Sequence, residues 1–251
     1  MRFKENGWGL FFSIIGIIIA WQLFAWWLDR PFVPAPMAVF QNLGQIYSTR
    51  LDVHLYYSLA RVIAGIFIAL AIGVPLGFLM GYFPRADKVL TPLVYFTYPI
   101  PKIALLPVVM LLFGLGEGSK LTMIVLIIIF QIIITTRDAV KNIPPEIFRS
   151  LQSLGANKRQ VFTEIIIPAS LPDILTSSRI SVGTAVSILF FTETFGTQYG
   201  MGYFIMDAWM RVNYLDMYAG IVVLSLLGFF IFTAIDLAEK KVCSWKERGQ
   251  M

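Results

Sequence analysis

The sequence has few of the residue types that perform covalent chemistry or bind metals. Cys243 is the only cysteine and His54 the only histidine in 251 residues. A single cysteine cannot form a disulfide within the chain, and the sequence has no Cys/His cluster for a zinc ion. A glycine-rich nucleotide-binding loop is also missing, because the run GLGEGSK at 114–120 has the wrong spacing and is typical of a turn between helices. These absences predict a chain that is not an enzyme and carries no cofactor of its own.

Charge is scarce as well, which argues against a soluble protein. Charged residues make up 14% of the chain and hydrophobic residues 57%, whereas soluble proteins have roughly a quarter and a half. A helix needs about 20 apolar residues to cross a hydrocarbon core near 30 Å thick. The runs that meet this requirement predict six transmembrane helices, at about 8–28, 59–83, 89–113, 120–136, 174–195 and 215–237. We therefore predict an all-α integral membrane protein with one domain over residues 1–251.

The net charge of +5 is explained by how the chain is expected to be oriented across the membrane. Most basic residues fall on one side of the predicted spans, namely Arg2, Lys4, Arg85, Lys88, Arg137, Lys141, Arg149, Lys158, Arg159, Lys240, Lys241, Lys246 and Arg248. Cytoplasmic loops carry such an excess of Lys and Arg. Both termini are therefore predicted in the cytoplasm, and the basic balance requires no nucleic-acid partner.

The second span carries small residues at every fourth position. The stripe consists of Gly65, Ala69, Gly73, Gly77 and Gly81. Small residues at this spacing allow two helix backbones to approach closely within lipid. We predict a helix-packing face, with a smooth wall of a solute pathway as the alternative.

The third span is predicted to be broken. Pro99, Pro101 and Pro107 lie in the stretch YPIPKIALLP, and each proline removes a backbone donor and clashes with the preceding turn. Broken backbone at membrane depth is tolerated inside protein or beside a water-filled cavity. Lys102 lies within the break, and a charged residue inside a span is a candidate for a solute pathway. Lys102 and Pro101 are therefore pathway candidates, although a lysine can also snorkel or pair structurally.

Glu193 in the fifth span is the other charge in an apolar setting. Its sequence context is LFFTETFG, and an unpaired carboxylate there would be costly. The carboxyl group must protonate, pair with a cation or accept hydrogen bonds from hydroxyls such as those of Thr192 and Thr194. Glu193 is therefore either a structural anchor or a residue that acts in gating or solute passage.

The connection at 137–173 is polar and is predicted to contain two short amphipathic helices. The first begins at Pro144-Pro145 and presents one apolar face, made of Ile147, Phe148, Leu151 and Leu154. Gly155 is suited to end it in the left-handed conformation, and Asn157 can cap the second helix. The face of the second helix consists of Val161, Phe162, Ile165 and Ile166, and Pro168 is expected to stop it. Two helices held at a fixed angle beneath the membrane indicate a docking element.

This stretch also carries a resemblance to a known family. Gly155 followed after nine residues by Ile165-Ile166-Ile167-Pro168 resembles the cytoplasmic EAA signature of ABC importer permeases. SLGANKRQVFTEIIIPASLPDILTSSRI at 153–180, Pro34-Ala35-Pro36, PIPKIALLPVVMLLFGLGEGSK at 99–120, Glu193 and GMGYFIMDA at 200–208 resemble the branch that imports sulfonates, taurine and nitrate. The chain departs from the signature where Arg149-Ser150-Leu151 replaces Glu-Ala-Ala, and Glu146 could supply a carboxylate one turn earlier.

The resemblance implies a type I ABC importer permease in the prokaryotic inner membrane. Its expected partners are a second copy of the permease, two ATPase subunits that hold ATP and Mg²⁺, and an external solute-binding protein. The residues expected to transmit movement from the ATPase are Glu146, Phe148, Arg149, Leu151, Gly155, Phe162, Ile165 and Pro168. The expected mechanism is alternating access for a small anion, and a riboflavin or pyrimidine (thiamine) precursor is the alternative substrate. A stand-alone secondary transporter would usually need more spans or an internal repeat.

Overall fold

The computed structural model describes residues 7–245, and these residues are nearly all helical. The helices are α1 (Gly7–Leu28), α2 (Pro36–Ile46), α3 (Asp52–Tyr82), α4 (Pro84–Thr97), α5 (Leu106–Phe113), α6 (Glu117–Lys141), α7 (Pro145–Ser153), α8 (Lys158–Val161), α9 (Ile167–Glu193), α10 (Met201–Met210) and α11 (Tyr214–Val242). Tyr47–Leu51 and Phe162–Ile166 are π-helical turns, and Lys102–Leu105 is a 3₁₀ turn. Over the described range the chain forms no strand, which confirms the predicted all-α class.

Five helical stretches between residues 7 and 245 are long and apolar enough to cross a membrane. They are Phe11–Leu28, Asp52–Tyr82, Glu117–Lys141, Lys158–Glu193 and Tyr214–Val242. The pair α4 and α5 makes a sixth if its two halves, bent by 81°, count as one span. Several helices extend beyond the predicted apolar runs, because polar residues at their ends continue the backbone hydrogen bonds outside the apolar stretch. Arg2, Lys4, Lys246 and Arg248 of the predicted basic side lie outside the described residues.

Helices α3, α6 and α9 pack around the main core. Their buried side chains interlock in one cluster that includes Val62, Ile66, Met123, Ile124, Ile128, Val182, Ala185 and Leu189. Helix α11 closes this core through Leu227. The arrangement fixes α6 and α9 side by side, so that residues on their remaining faces lie along a common groove.

The glycine stripe of α3 lies against α6 and determines how closely these helices approach. A Cβ added at Gly77 would lie 2.5 Å from Thr136 Cβ and 2.8 Å from the Ile133 carbonyl oxygen. At Gly81 the added atom would lie 2.6 Å from Val140 Cβ. Since ordinary carbon contacts are about 3.5–4.0 Å, these positions accept no side chain larger than hydrogen unless the helices separate. The structure therefore places the stripe in a contact between helices of one chain.

Candidate transport site

The polar connection after α6 forms a compact unit, which we call the α7–α8 segment (residues 145–166). Helix α7 begins directly after Pro144 and ends before Gly155, whose φ of +80° lies in the left-handed region that favours glycine. Asn157 then starts α8 with a capping box: its side chain accepts from the Gln160 N–H at 3.0 Å, and the Gln160 side chain accepts from the Asn157 N–H at 2.8 Å. The turn and the cap together fix the angle between the two helices.

One face of the α7–α8 segment is anchored to the ends of α3 and α6. Phe148, Leu151, Phe162 and Ile165 pack in a cluster whose other members are Phe78, Tyr82, Val140, Ile143, Ala156, Val161 and Ile166. The Phe162 and Phe78 rings meet edge to face with centroids 5.2 Å apart. The segment is therefore rigidly joined to two membrane-spanning helices.

The apolar face predicted for α7 is only partly covered by the bundle. Of its four residues, Phe148 and Leu151 pack in this cluster, whereas Ile147 is 45% and Leu154 82% exposed. The reason is that α7 packs against the bundle with only one side, so the wide apolar stripe is divided between the core and solvent. Glu146 and Arg149 are also exposed, beside Ile147. The outward surface therefore combines two apolar side chains with one acid and one base.

The prediction that Pro168 ends the second helix is wrong. The chain continues from α8 through the π-helical turn Phe162–Ile166 into α9, with Pro168 in the first turn of α9. A proline is tolerated there because the wider π turn changes the local hydrogen-bond pattern, and its missing N–H removes no bond needed by the first turn. The α7–α8 segment is thus continuous with a helix that crosses the bundle to Glu193.

The predicted break in the third span is present, and it positions Lys102. The chain leaves α4 at Tyr98, passes Pro99 and Pro101 without regular structure, and turns by 81° into α5. The Lys102 ammonium donates to the Tyr98 carbonyl at 2.7 Å and to the Thr97 carbonyl at 3.2 Å. Carbonyl groups at the end of α4 thus find a side-chain donor within the break.

Lys102 lines a cavity of about 530 Å³ between the break, α6 and α9. The lining residues are Tyr98, Ile100, Lys102, Ile103, Ile127, Gln131, Thr184, Ser187, Ile188 and Phe191. Pro101 and Glu193, the other two pathway candidates, are not part of this lining. The structure therefore brings one of the three candidates to a cavity and separates the other two from it.

Glu193 lies in a buried hydrogen-bond network at the other end of α9 from the α7–α8 segment. Its side chain is fully buried and accepts from Ser58 Oγ at 2.8 Å, Arg61 Nη1 at 2.7 Å and the Gly202 N–H at 2.9 Å. Of the three ways to satisfy the carboxyl group that the sequence allows, the structure shows two: pairing with a cation, Arg61, and a hydrogen bond from a hydroxyl, that of Ser58. The Thr192 and Thr194 hydroxyls instead donate to carbonyls of their own helix.

Arg61 is the residue that sequence reasoning missed. Its guanidinium is 3% exposed and joins Glu193 to Glu117 (Nη2 to Oε1 2.5 Å) and to the Tyr199 carbonyl (Nη1 to O 2.7 Å). These contacts connect α3, the start of α6, the end of α9 and the turn before α10. The sequence did not indicate that Arg61 is buried inside a span, because Arg61 fell near the edge of the predicted span at 59–83. In the structure the helix begins at Asp52. A buried arginine well inside a span indicates a structural or functional ion pair.

Comparison with known proteins agrees with this architecture. Residues 73–243 match the family described as "Binding-protein-dependent transport system inner membrane component". The chain is 30% identical to the taurine transport system permease protein TauC of Escherichia coli, over 90% of this chain and 87% of that protein. It is also 30% identical to the formylaminopyrimidine transport permease protein ThiX of Halalkalibacterium halodurans, over 95% of each chain.

A further relative and a solved structure extend the comparison. The putative aliphatic sulfonates transport permease protein SsuC of Bacillus subtilis is 29% identical over 97% of this chain and 90% of its own. An inward-facing structure of the MetNI methionine ABC transporter shares the fold, with a TM-score of 0.68, 21% identity, and coverage of 76% of this chain and 95% of that chain. The chain therefore belongs to the binding-protein-dependent transport system inner membrane component family, as a permease subunit of an ABC importer.

Proposed function

We propose that two copies of this chain form the membrane pathway of an ATP-driven importer that works by alternating access. Separate ATPase subunits bind ATP and Mg²⁺ and dock on the α7–α8 segment, and an external binding protein delivers the solute. The chain itself performs no covalent step. The permease relatives and the shared fold support this assignment.

The observation that carries the proposal is the exposed Leu154 at the tip of the α7–α8 segment. A leucine that is 82% exposed leaves about 1.5–3 kcal/mol of burial free energy unused. Leu154 stands directly before the left-handed Gly155 and is held by helices whose other face is anchored in the bundle. Ile147, seven positions earlier and 45% exposed, lies on the same side of the segment, and a rigid apolar pair of this kind fits a hydrophobic groove on a partner protein.

The helical continuity beyond this tip explains how docking can act on the pathway. Since α8 runs without a break into α9, a displacement of the segment moves α9 as well. The α9 residues Thr184, Ser187 and Phe191 line the Lys102 cavity. A partner that contacts the segment differently in two states therefore biases the pathway between two conformations.

The test is co-purification followed by transport. The affinity-tagged chain, purified in mild detergent from its source cells, should bring an ATPase subunit with it, and vesicles containing the complex and its binding protein should accumulate solute only with ATP. A chain that purifies without an ATPase, or transports equally well without ATP, would contradict the proposal.

The proposed solute is a small anion such as a sulfonate, because Lys102 faces the cavity. A pyrimidine precursor is the second candidate, favoured by the formylaminopyrimidine relative and by Tyr98 and Phe191, whose rings could stack on a heterocycle. Uptake of labelled ethanesulfonate and uptake of labelled formylaminopyrimidine, measured separately in the same vesicles, distinguish the two. ATP-driven uptake of the sulfonate alone supports the first candidate, and uptake of the pyrimidine alone supports the second.

A further inference from the structure

Helices α6 and α9 present a second cavity, which continues the groove of the first. A cavity of about 280 Å³ lies between them, toward the end of the bundle that carries the α7–α8 segment. Gln131 lines both cavities. On α9 the lining positions run from Asp173 to Phe191 at helical spacing, which places them on one face. The two cavities are therefore neighbouring parts of one groove.

The two parts of the groove carry opposite charges. Lys102 is the only ionisable lysine, arginine or carboxylate side chain in the lining of the first cavity, where Gln131, Thr184 and Ser187 add neutral polar groups. Two of the three ammonium hydrogens are used by carbonyl oxygens, and the ammonium also lies 4.7 Å from the centroid of the Phe130 ring, so a ligand in the cavity would share the third donor with this ring. The remaining lining is apolar, so this part suits a small anion that has an apolar body.

The second part is acidic and contains one polar group without a hydrogen-bond partner in the described part of the chain. Asp138 and Asp173 line it, and no lysine or arginine does. Arg137 neutralises Asp138 through a contact of 2.8 Å, so Asp173 supplies the main negative charge. Among the residues that the structure describes, Ser177 has a buried hydroxyl with no hydrogen-bond partner, and it lines this cavity. A buried hydroxyl without a partner is costly.

We infer that the α6–α9 groove is a charge-graded wall of the solute pathway: Lys102 holds a small anion in the first cavity, and Asp173 repels it at the second. The inference rests on the proposed importer function and adds which side chains favour release of the anion toward the α7–α8 end. An anion that leaves Lys102 toward the α7–α8 end meets neutral hydroxyls and then a carboxylate, and like charges disfavour its retention there. Weak binding at the exit allows a transported solute to leave.

The test uses the purified permease–ATPase complex with 2-bromoethanesulfonate, a small anion whose bromine is located by anomalous diffraction. We expect a bromine signal beside Lys102 in the wild-type complex, the same signal in Lys102→Arg, and its loss in Lys102→Met. Lys241→Met, which removes an exposed lysine outside the groove, is the matched control and should keep the signal. Asp173→Asn should add a second signal in the cavity beside Ser177.

Two results would overturn the inference. One is a wild-type complex without bromine at Lys102, or with a signal that survives Lys102→Met. The other is an unchanged bromine pattern in Asp173→Asn. ATPase co-purification and ATP hydrolysis, measured on the same samples, test the proposed function separately, because a complex that assembles and hydrolyses ATP without binding the anion refutes only the charge-graded wall.

Discussion

Replacing Gly77 with alanine should separate α3 from α6 and destabilise the protein. The new Cβ would lie 2.5 Å from Thr136 Cβ and 2.8 Å from a backbone oxygen of α6, roughly an ångström too close for an ordinary contact. Backbone cannot rotate away as a flexible side chain can, so the helices themselves must move. Overpacking of this kind costs about 1–3 kcal/mol, which outweighs the helix-propensity gain of about 1 kcal/mol for Gly→Ala.

Thermal unfolding in detergent, followed by size-exclusion chromatography after heating, measures this effect. Gly16→Ala is the matched control, because a Cβ at Gly16 in α1 meets nothing within 4 Å, and it should unfold at or above the wild-type temperature. The larger Gly77→Leu should prevent folding or assembly. If Gly77→Ala unfolds at the same temperature as Gly16→Ala, or if Gly77→Leu assembles normally yet transports poorly, the stripe is not a packing contact.

Three further predictions address the site. Arg61→Met leaves the buried Glu193 without its cation and should lower the free energy of unfolding by about 3–5 kcal/mol. Arg211→Met, which breaks an exposed pair with Asp207, should lower it by under about 1 kcal/mol. Equal unfolding temperatures for the two variants would contradict the assigned role of Arg61. Gly155→Val strains the left-handed turn by about 1–2 kcal/mol and should weaken ATPase binding while the membrane spans fold normally. Unchanged ATPase binding by this variant would contradict docking on the α7–α8 segment. Lys102→Met should reduce ATP-driven uptake without affecting assembly, and wild-type uptake would assign Lys102 a structural role.

The overall fold was predictable because lipid imposes strong demands on sequence. Three features of the sequence each follow from a requirement on neighbouring residues. Apolar runs of about 20 residues provide the length of a span, prolines break the third span, and small residues at every fourth position allow close helix packing. Gly155 and Asn157 likewise follow from local backbone geometry, and the structure shows both the turn and the cap.

The site was less predictable, because its contacts join residues that are distant in sequence. Arg61 and Glu193 are 132 positions apart, and no periodicity links them. Pro168 was misjudged since its effect depends on the π turn before it, which local sequence rules do not reveal. The division of the α7 face between Phe148 and Leu154 depends on how the helix packs against α3 and α6, a tertiary property.

The central claim, that an ATPase docks on the α7–α8 segment, is tested most directly by the Leu154→Asp variant. The amount of ATPase retained on the purified permease is measured by gel densitometry, with Val212→Asp as the control, since Val212 is 65% exposed in the turn between α10 and α11. Leu154→Asp should lose most of the bound ATPase, because a carboxylate would replace the apolar tip, and Val212→Asp should retain it. Full retention of ATPase by Leu154→Asp would contradict the account.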